Sequence, residues 1–170
     1  KENVMAQQTE NEEVEPVMEE ENKKETQDTT SIENMPLTFL ALGDSYTIGE
    51  SVVQDMRWPV QLTKELSDAD VVFTDESPTI IARTGWTTDE LSSAIKDENP
   101  TKDYDLVSLL IGVNNQYRGY DIDEYVIEYE ALLKQALEFA KGDTAKVFVV
   151  SIPDWGAMPF AEGRDREKIA

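Results

Sequence analysis

The chain of 170 residues contains no cysteine and no histidine. Without cysteine there is no disulfide framework, no zinc–thiolate site and no thiol nucleophile. Without histidine, the side chain that most often serves as a general base near neutral pH is missing. Basic residues are scarce: 15 Lys and Arg stand against 36 Asp and Glu, a formal net charge of −21. Nucleic acid and anionic membrane surfaces repel such a chain, so neither is expected as a partner. No apolar run is long enough to cross a bilayer, and no signal-peptide core is present. The chain opens at Lys1 rather than Met, as a processed or trimmed product would.

What is present divides at Pro36. Residues 1–35 are rich in Glu, Gln, Asn and Thr, include Glu19-Glu20-Glu21, and scatter their few apolar residues without a period. Such a segment buries too little surface to offset the entropy of ordering it, so it reads as an acidic, disordered tether. A tether of this kind suits a protein held at a cell envelope, or secreted into the periplasm, by an N-terminal anchor outside this sequence. Residues 36–170 are long enough for one domain with a core of useful size.

The domain alternates strand and helix signals. Leu37–Leu42 is a short apolar run that breaks at Gly43-Asp44-Ser45. Trp58–Leu66 reads as an amphipathic helix, with Pro59 tolerated in its first turn. The β-rich runs 71–74 and 79–82 are split by Asp75-Glu76-Ser77-Pro78, and form either one interrupted strand or a strand and an extension. Thr87 and Glu90 make a capping box for a helix over about 88–96, and Trp86 with Leu91 fits a hydrophobic staple. Residues 105–111 form a third strand, ending in Gly112-Val113-Asn114-Asn115. A long helix follows from Asp121 to Gly142, its periodic positions including Ile122, Tyr125, Val126, Tyr129, Leu132, Leu133 and Ala136. Residues 146–152 are a fourth strand, and 162–170 resemble the opening of a further helix. The alternation predicts a parallel α/β sheet with helices on both faces.

In such a sheet the strand ends are neighbours, and ligands bind at their carboxyl edge. Ser45, Gly85 and Asn114 all fall there. A hydroxyl facing a backbone N–H and a side-chain amide is the set that acyl transfer needs: the serine attacks, and the donors stabilise the oxyanion. Trp86, Tyr117, Trp155, Met158 and Phe160 lie just past strand ends and either line an apolar acyl pocket or cap the core. Ser93-Ala94-Ile95-Lys96 matches a serine–lysine pattern but reads as an exposed helix end. Asp121-Ile122-Asp123-Glu124 departs from a calcium loop and reads as a helix start. No metal or cofactor is expected.

These motifs resemble those of the SGNH/GDSL hydrolases, serine esterases, lipases and other acylhydrolases with a flavodoxin-like three-layer α/β fold. Gly43-Asp44-Ser45-Tyr46 matches the family's nucleophile motif, Gly85 in Ala82-Arg83-Thr84-Gly85-Trp86 its second oxyanion donor, and Gly112-Val113-Asn114 its Gly-x-Asn motif. The resemblance implies Ser45 as nucleophile, Gly85 and Asn114 as oxyanion donors, and an ester of a small molecule, lipid or carbohydrate as substrate. The family's base lies in an Asp-x-x-His motif near the C-terminus, and this sequence has no histidine. The chain is therefore expected to be a fragment, cut before the last strand and helix and inactive alone. The alternative is a non-catalytic relative that keeps the pocket and binds esters or glycans.

Overall fold

Four short apolar runs make the sheet. In the computed structural model, which describes residues 35–101 and 103–169, they are β1 (Phe39–Gly43), β2 (Thr79–Ala82), β3 (Leu106–Leu110) and β4 (Val147–Val149). All pair in parallel, in the order β2-β1-β3-β4. β1 is interior, and its five residues are all buried, as a strand covered on both faces must be. The tether reading of residues 1–35 lies, but for Met35, outside the described residues.

Register sorts the side chains. Leu40 pairs with Val107 and Leu42 with Leu109, so these four share one face, while Phe39, Ala41 and Ser108 take the other. On the first face the sheet packs against Leu91 and Ile95 of α3 (Thr88–Glu98) and Leu132, Ala136 and Phe139 of α5 (Ile122–Phe139). On the second lies α2 (Trp58–Asp68), whose Trp58 ring centroid is 6.3 Å from that of Phe39 and 6.4 Å from that of Phe148. Helices cover both faces, giving the three-layer α/β arrangement that the alternation predicts.

The helix ends follow local chemistry. Thr87 and Glu90 form the expected capping box at α3, with Glu90 Oε2 accepting the Thr87 N–H at 2.9 Å. Asp121 Oδ1 accepts the N–H groups of Asp123 and Glu124 at 2.9 and 3.2 Å, which makes the acidic run a helix cap. Gly142, at φ +80°, closes α5 by donating to the Leu137 carbonyl at 2.7 Å.

Several expectations need correction. Of the runs 71–74 and 79–82 only the second is a strand, β2; the first adds one parallel bridge, Phe73 to Leu37, just upstream of β1, which fits the strand-and-extension alternative. The fourth strand is shorter than 146–152, since its partner β3 stops at Leu110. Residues 162–169 do not open a helix. Gly163 takes φ +81°, Asp165 caps the Glu167 N–H, and only a 3-10 turn, Arg166–Lys168, follows. Ser45 and Asn114 follow β1 and β3 as expected, each within a short helix, α1 (Ser45–Ile48) and α4 (Val113–Arg118). Ile122 and Val126 keep the period of α5 yet are 67% and 54% exposed. Nothing among the described residues fills the cavity of about 700 Å³ lined by Ile122, Tyr125, Ile152, Trp155 and Ile169.

This burial pattern sets an expected contrast within one helix. Leu132 is fully buried, so Leu132→Ala should cost about 2–5 kcal/mol through lost contacts and an unfilled cavity. Val126→Ala should stay within about 0.5 kcal/mol, as exposed substitutions do. Urea unfolding of both variants checks this, and equal losses would contradict the packing described.

Candidate active site

The site begins at a close approach of backbone. A Cβ on Gly43 would lie 2.1 Å from Thr47 Oγ1 and 2.5 Å from the Leu110 carbonyl oxygen. Only glycine lets the chain leave β1 and wind directly into α1 against the end of β3. Asp44 then caps α1: its Oδ1 accepts the Tyr46 N–H at 3.0 Å, and its carbonyl accepts from Thr47 and Ile48. Ser45 is the first residue of α1, and the cap engages the Tyr46 amide rather than that of Ser45. The serine is thus presented, half-buried, at the carboxyl edge of the sheet.

A second glycine permits the neighbouring turn. Gly112 takes φ +129°, and a Cβ there would meet the Tyr125 ring at 2.7 Å. α4 starts from this turn and carries two asparagines with different tasks. Asn115 is 3% exposed; its Oδ1 accepts the Thr88 N–H at 3.1 Å and its Nδ2 donates to Thr88 Oγ1 at 2.7 Å. It clamps α4 to the start of α3. Asn114 Nδ2 donates to the Trp86 carbonyl at 2.8 Å. An amide nitrogen carries two N–H bonds, so this contact orients the other. Ser45 and Asn114 line one cleft of about 250 Å³ together with Tyr46, Val113, Tyr117, Trp155 and Phe160.

Gly85 lies three residues past the end of β2, at φ +89°. It is not among the residues lining that cleft, but its loop is tied to both neighbours. Arg118 Nη2 at the end of α4 donates to the Gly85 carbonyl at 2.6 Å, and Thr84 donates to Glu50 just after α1. Gly85, Ser45 and Asn114 therefore follow three adjacent strands, with Asn114 bonded to the residue next to Gly85.

Of the aromatic residues expected at this edge, Tyr117, Trp155 and Phe160 line the cleft. Trp86 packs on the main core instead, and Met158 is 59% exposed outside the cleft. Ser93 and Lys96 stand exposed on α3, away from Ser45. Among the described residues no cluster of acidic groups has the geometry to hold a metal ion. Sequence reasoning missed Asn115, Arg118 and Gln116, whose Oε1 accepts the Trp155 indole N–H at 2.9 Å. The Asn114-Asn115 doublet was the one available signal; the other two act across 33 and 39 residues and leave no local pattern.

Asp44 is electrostatically unusual. It is fully buried, and its Oδ2 has no hydrogen-bond partner among the described residues. Burial pushes its carboxyl up to about 6 from an ordinary 3.8, against the opposing pull of the Tyr46 N–H. The raised value means that folding disfavours the ionised form. Stability from this group is then complete below about pH 4 and is lost as pH rises through about 6, by ~3 kcal/mol in all. Asp44→Asn keeps the oxygen that accepts from Tyr46 but cannot ionise. Relative to the wild type it should gain up to ~3 kcal/mol as pH rises from 4 to 7.5. Urea unfolding across that range measures the difference; a flat difference would contradict a buried, ionising Asp44.

Comparison with known proteins adds to this geometry. A family model described as the GDSL-like lipase/acylhydrolase family matches residues 41–170. No curated protein matches the sequence. Among solved structures, AlinE4, an SGNH-hydrolase family esterase, is 20% identical at a TM-score of 0.57, with 79% of this chain and 67% of AlinE4 covered. TesA is 20% identical at a TM-score of 0.55, with 78% and 68% covered. The lipase Lip_vut3 from a goat rumen metagenome is 19% identical at 0.55, with 78% and 70% covered. A mutant AlinE4 structure is covered over 60% of its length, so the chain spans three fifths to seven tenths of these proteins. At such identities the likeness is one of fold.

Proposed function

The chain belongs to the GDSL-like lipase/acylhydrolase family, and we propose that it is a serine acylhydrolase cleaving carboxylic esters through an acyl-Ser45 intermediate. The observation that carries this reading is the shared cleft of Ser45 and Asn114 at the carboxyl edge of the sheet. In the proposed reaction Ser45 Oγ attacks the ester carbonyl carbon, and the carbonyl π pair moves onto oxygen. The Ser45 and Gly85 backbone N–H groups and the Asn114 side chain hold that oxyanion. Collapse of the tetrahedral intermediate expels the alcohol, and water then releases the acid from Ser45. The substrate is an ester small enough for a cleft of about 250 Å³, or one that inserts a small part of itself.

Attack requires that the Ser45 proton go to a base, and no histidine occurs in the 170 residues. We infer that this chain by itself is a poor catalyst: in serine hydrolases loss of the histidine costs on the order of 10⁶ in kcat. The same lack of histidine favours a second reading, in which the cleft binds esters or glycans without cleaving them. We propose the cell envelope as the chain's place, on the acidic, polar composition of residues 1–35.

Chemical rescue separates the two readings. Turnover of an activated aryl ester by the wild type and by Ser45→Ala should be indistinguishable without added base. Imidazole in the assay should raise wild-type turnover above that of Ser45→Ala, because it supplies the missing proton acceptor to a nucleophile already in place. Equal imidazole responses in the two proteins would remove Ser45 as the nucleophile and leave the binding reading.

A further inference from the structure

Three aromatic rings beside the cleft surround a cation. Tyr117, on α4, lies 5.6 Å from Trp155 and 6.0 Å from Phe160, and Trp155 and Phe160 are 6.3 Å apart, centroid to centroid. The Arg164 guanidinium carbon sits 4.6 Å from the Tyr117 centroid, 5.8 Å from that of Trp155 and 6.0 Å from that of Phe160. Each distance is within the range over which a cation is attracted to a ring face. Arg164 Nη2 also donates to the Tyr117 hydroxyl at 2.9 Å.

Trp155 is the buried ring of the three, while Tyr117 and Phe160 are 42% and 68% exposed. Trp155 is 7% exposed, packs with Val113 and Ala161, and donates its indole N–H to Gln116. Tyr117 is fixed on a helix. Arg164 is exposed and follows a left-handed Gly163. The same three rings line the cleft that holds Ser45 and Asn114, while Arg164 lines an adjoining cavity of about 260 Å³ that shares Tyr117 and Trp155 with it. A chain of net charge −21 also draws small cations toward itself.

We propose that Tyr117, Trp155 and Phe160 form a subsite for a small quaternary ammonium group, and that Arg164 occupies it as an internal stand-in. Aromatic cages recognise quaternary ammonium groups because the ring faces are negative and the cation has no strong hydration shell to give up. A guanidinium is likewise weakly hydrated and stacks on aromatic faces, so the arginine and an alkylammonium compete for one place. Resting on the acylhydrolase reading, the inference names the substrate class: an ester whose acyl or alcohol part carries a quaternary ammonium, bound beside Ser45. The arginine then sets a threshold, since a ligand must displace it to bind.

The test reads binding, so it stands whether or not the chain turns over esters. Calorimetric titration compares choline with 3,3-dimethylbutan-1-ol, its neutral isostere in shape. Choline should bind the wild type more tightly than the isostere. Arg164→Ala, by emptying the cage, should tighten choline binding by roughly three- to fivefold, toward the upper end of one exposed cation–π contact. Arg166→Ala removes the same charge from a residue that pairs with Asp154 at 3.7 Å, outside the rings, and should leave choline affinity within about twofold, as expected of an exposed pair. Tyr117→Leu and Phe160→Leu, which keep apolar volume, should each weaken choline binding and leave the isostere unchanged; circular dichroism confirms their folding. Equal affinity for choline and the isostere, weaker choline binding in Arg164→Ala, or the same gain in Arg166→Ala would overturn the proposal. Equal imidazole responses of the wild type and Ser45→Ala, with these binding results intact, would overturn the acylhydrolase reading alone.

Discussion

The structure depends on the closeness of two backbones at Gly43. The start of α1 and the end of β3 both press on the place where a side chain would begin, with Thr47 and Leu110 at 2.1 and 2.5 Å from a Cβ there. Any larger residue would push α1 off the sheet. With the glycine, the buried strand β1 ends in a fully buried Asp44 and immediately in Ser45. The core and the site are therefore built by one turn: the same packing that buries Leu40 and Leu42 sets the serine at the edge.

The remaining polar groups are held by a second tier of contacts rather than by the strands themselves. Asn115, buried between α4 and α3, satisfies the Thr88 N–H and hydroxyl at once. Its neighbour Asn114 faces the cleft while anchored to Trp86. Arg118 and Gln116, from the same six-residue helix, hold the Gly85 turn and the Trp155 indole. A helix this short has little stability of its own. It persists because its side chains fasten it to α3, to the β2 turn and to the 155–161 segment. Four side chains of α4 thus fasten two segments, 85–88 and the one that carries Trp155, around one serine.

The burial of Asp44 has an energetic meaning for this arrangement. A carboxyl that folding prefers protonated is a local destabilisation at neutral pH, placed next to Ser45, the proposed nucleophile. Its Oδ1 nonetheless supplies the cap of α1, where aspartate is among the preferred residues. The capping preference and the desolvation penalty act in opposite directions on the same side chain, and the penalty is the larger effect on its ionisation.

Much of this was determined by the sequence alone. Short apolar runs with breaks at Gly43 and Gly112, alternating with helical patterns, specify buried parallel strands, because their length is that of strands and helices cover both faces of such a sheet. Thr87 with Glu90, Asp121 before its helix and Gly142 after it specify helix ends through local hydrogen bonds. The Gly43-Asp44-Ser45 and Gly112-Val113-Asn114 stretches were legible as strand ends because they depend on residue type where an apolar run breaks. Tertiary structure decided the rest. That residues 71–74 add one bridge at Leu37 while 79–82 pair along β1 was fixed only by the packed sheet. Whether Trp86 or Trp155 faces the cleft depended on packing from other elements. The roles of Asn115, Gln116, Arg118 and Arg164 rest on partners 27 to 47 residues away. Pattern and propensity describe neighbours along the chain, and contacts at such separations exist only once the layers have packed.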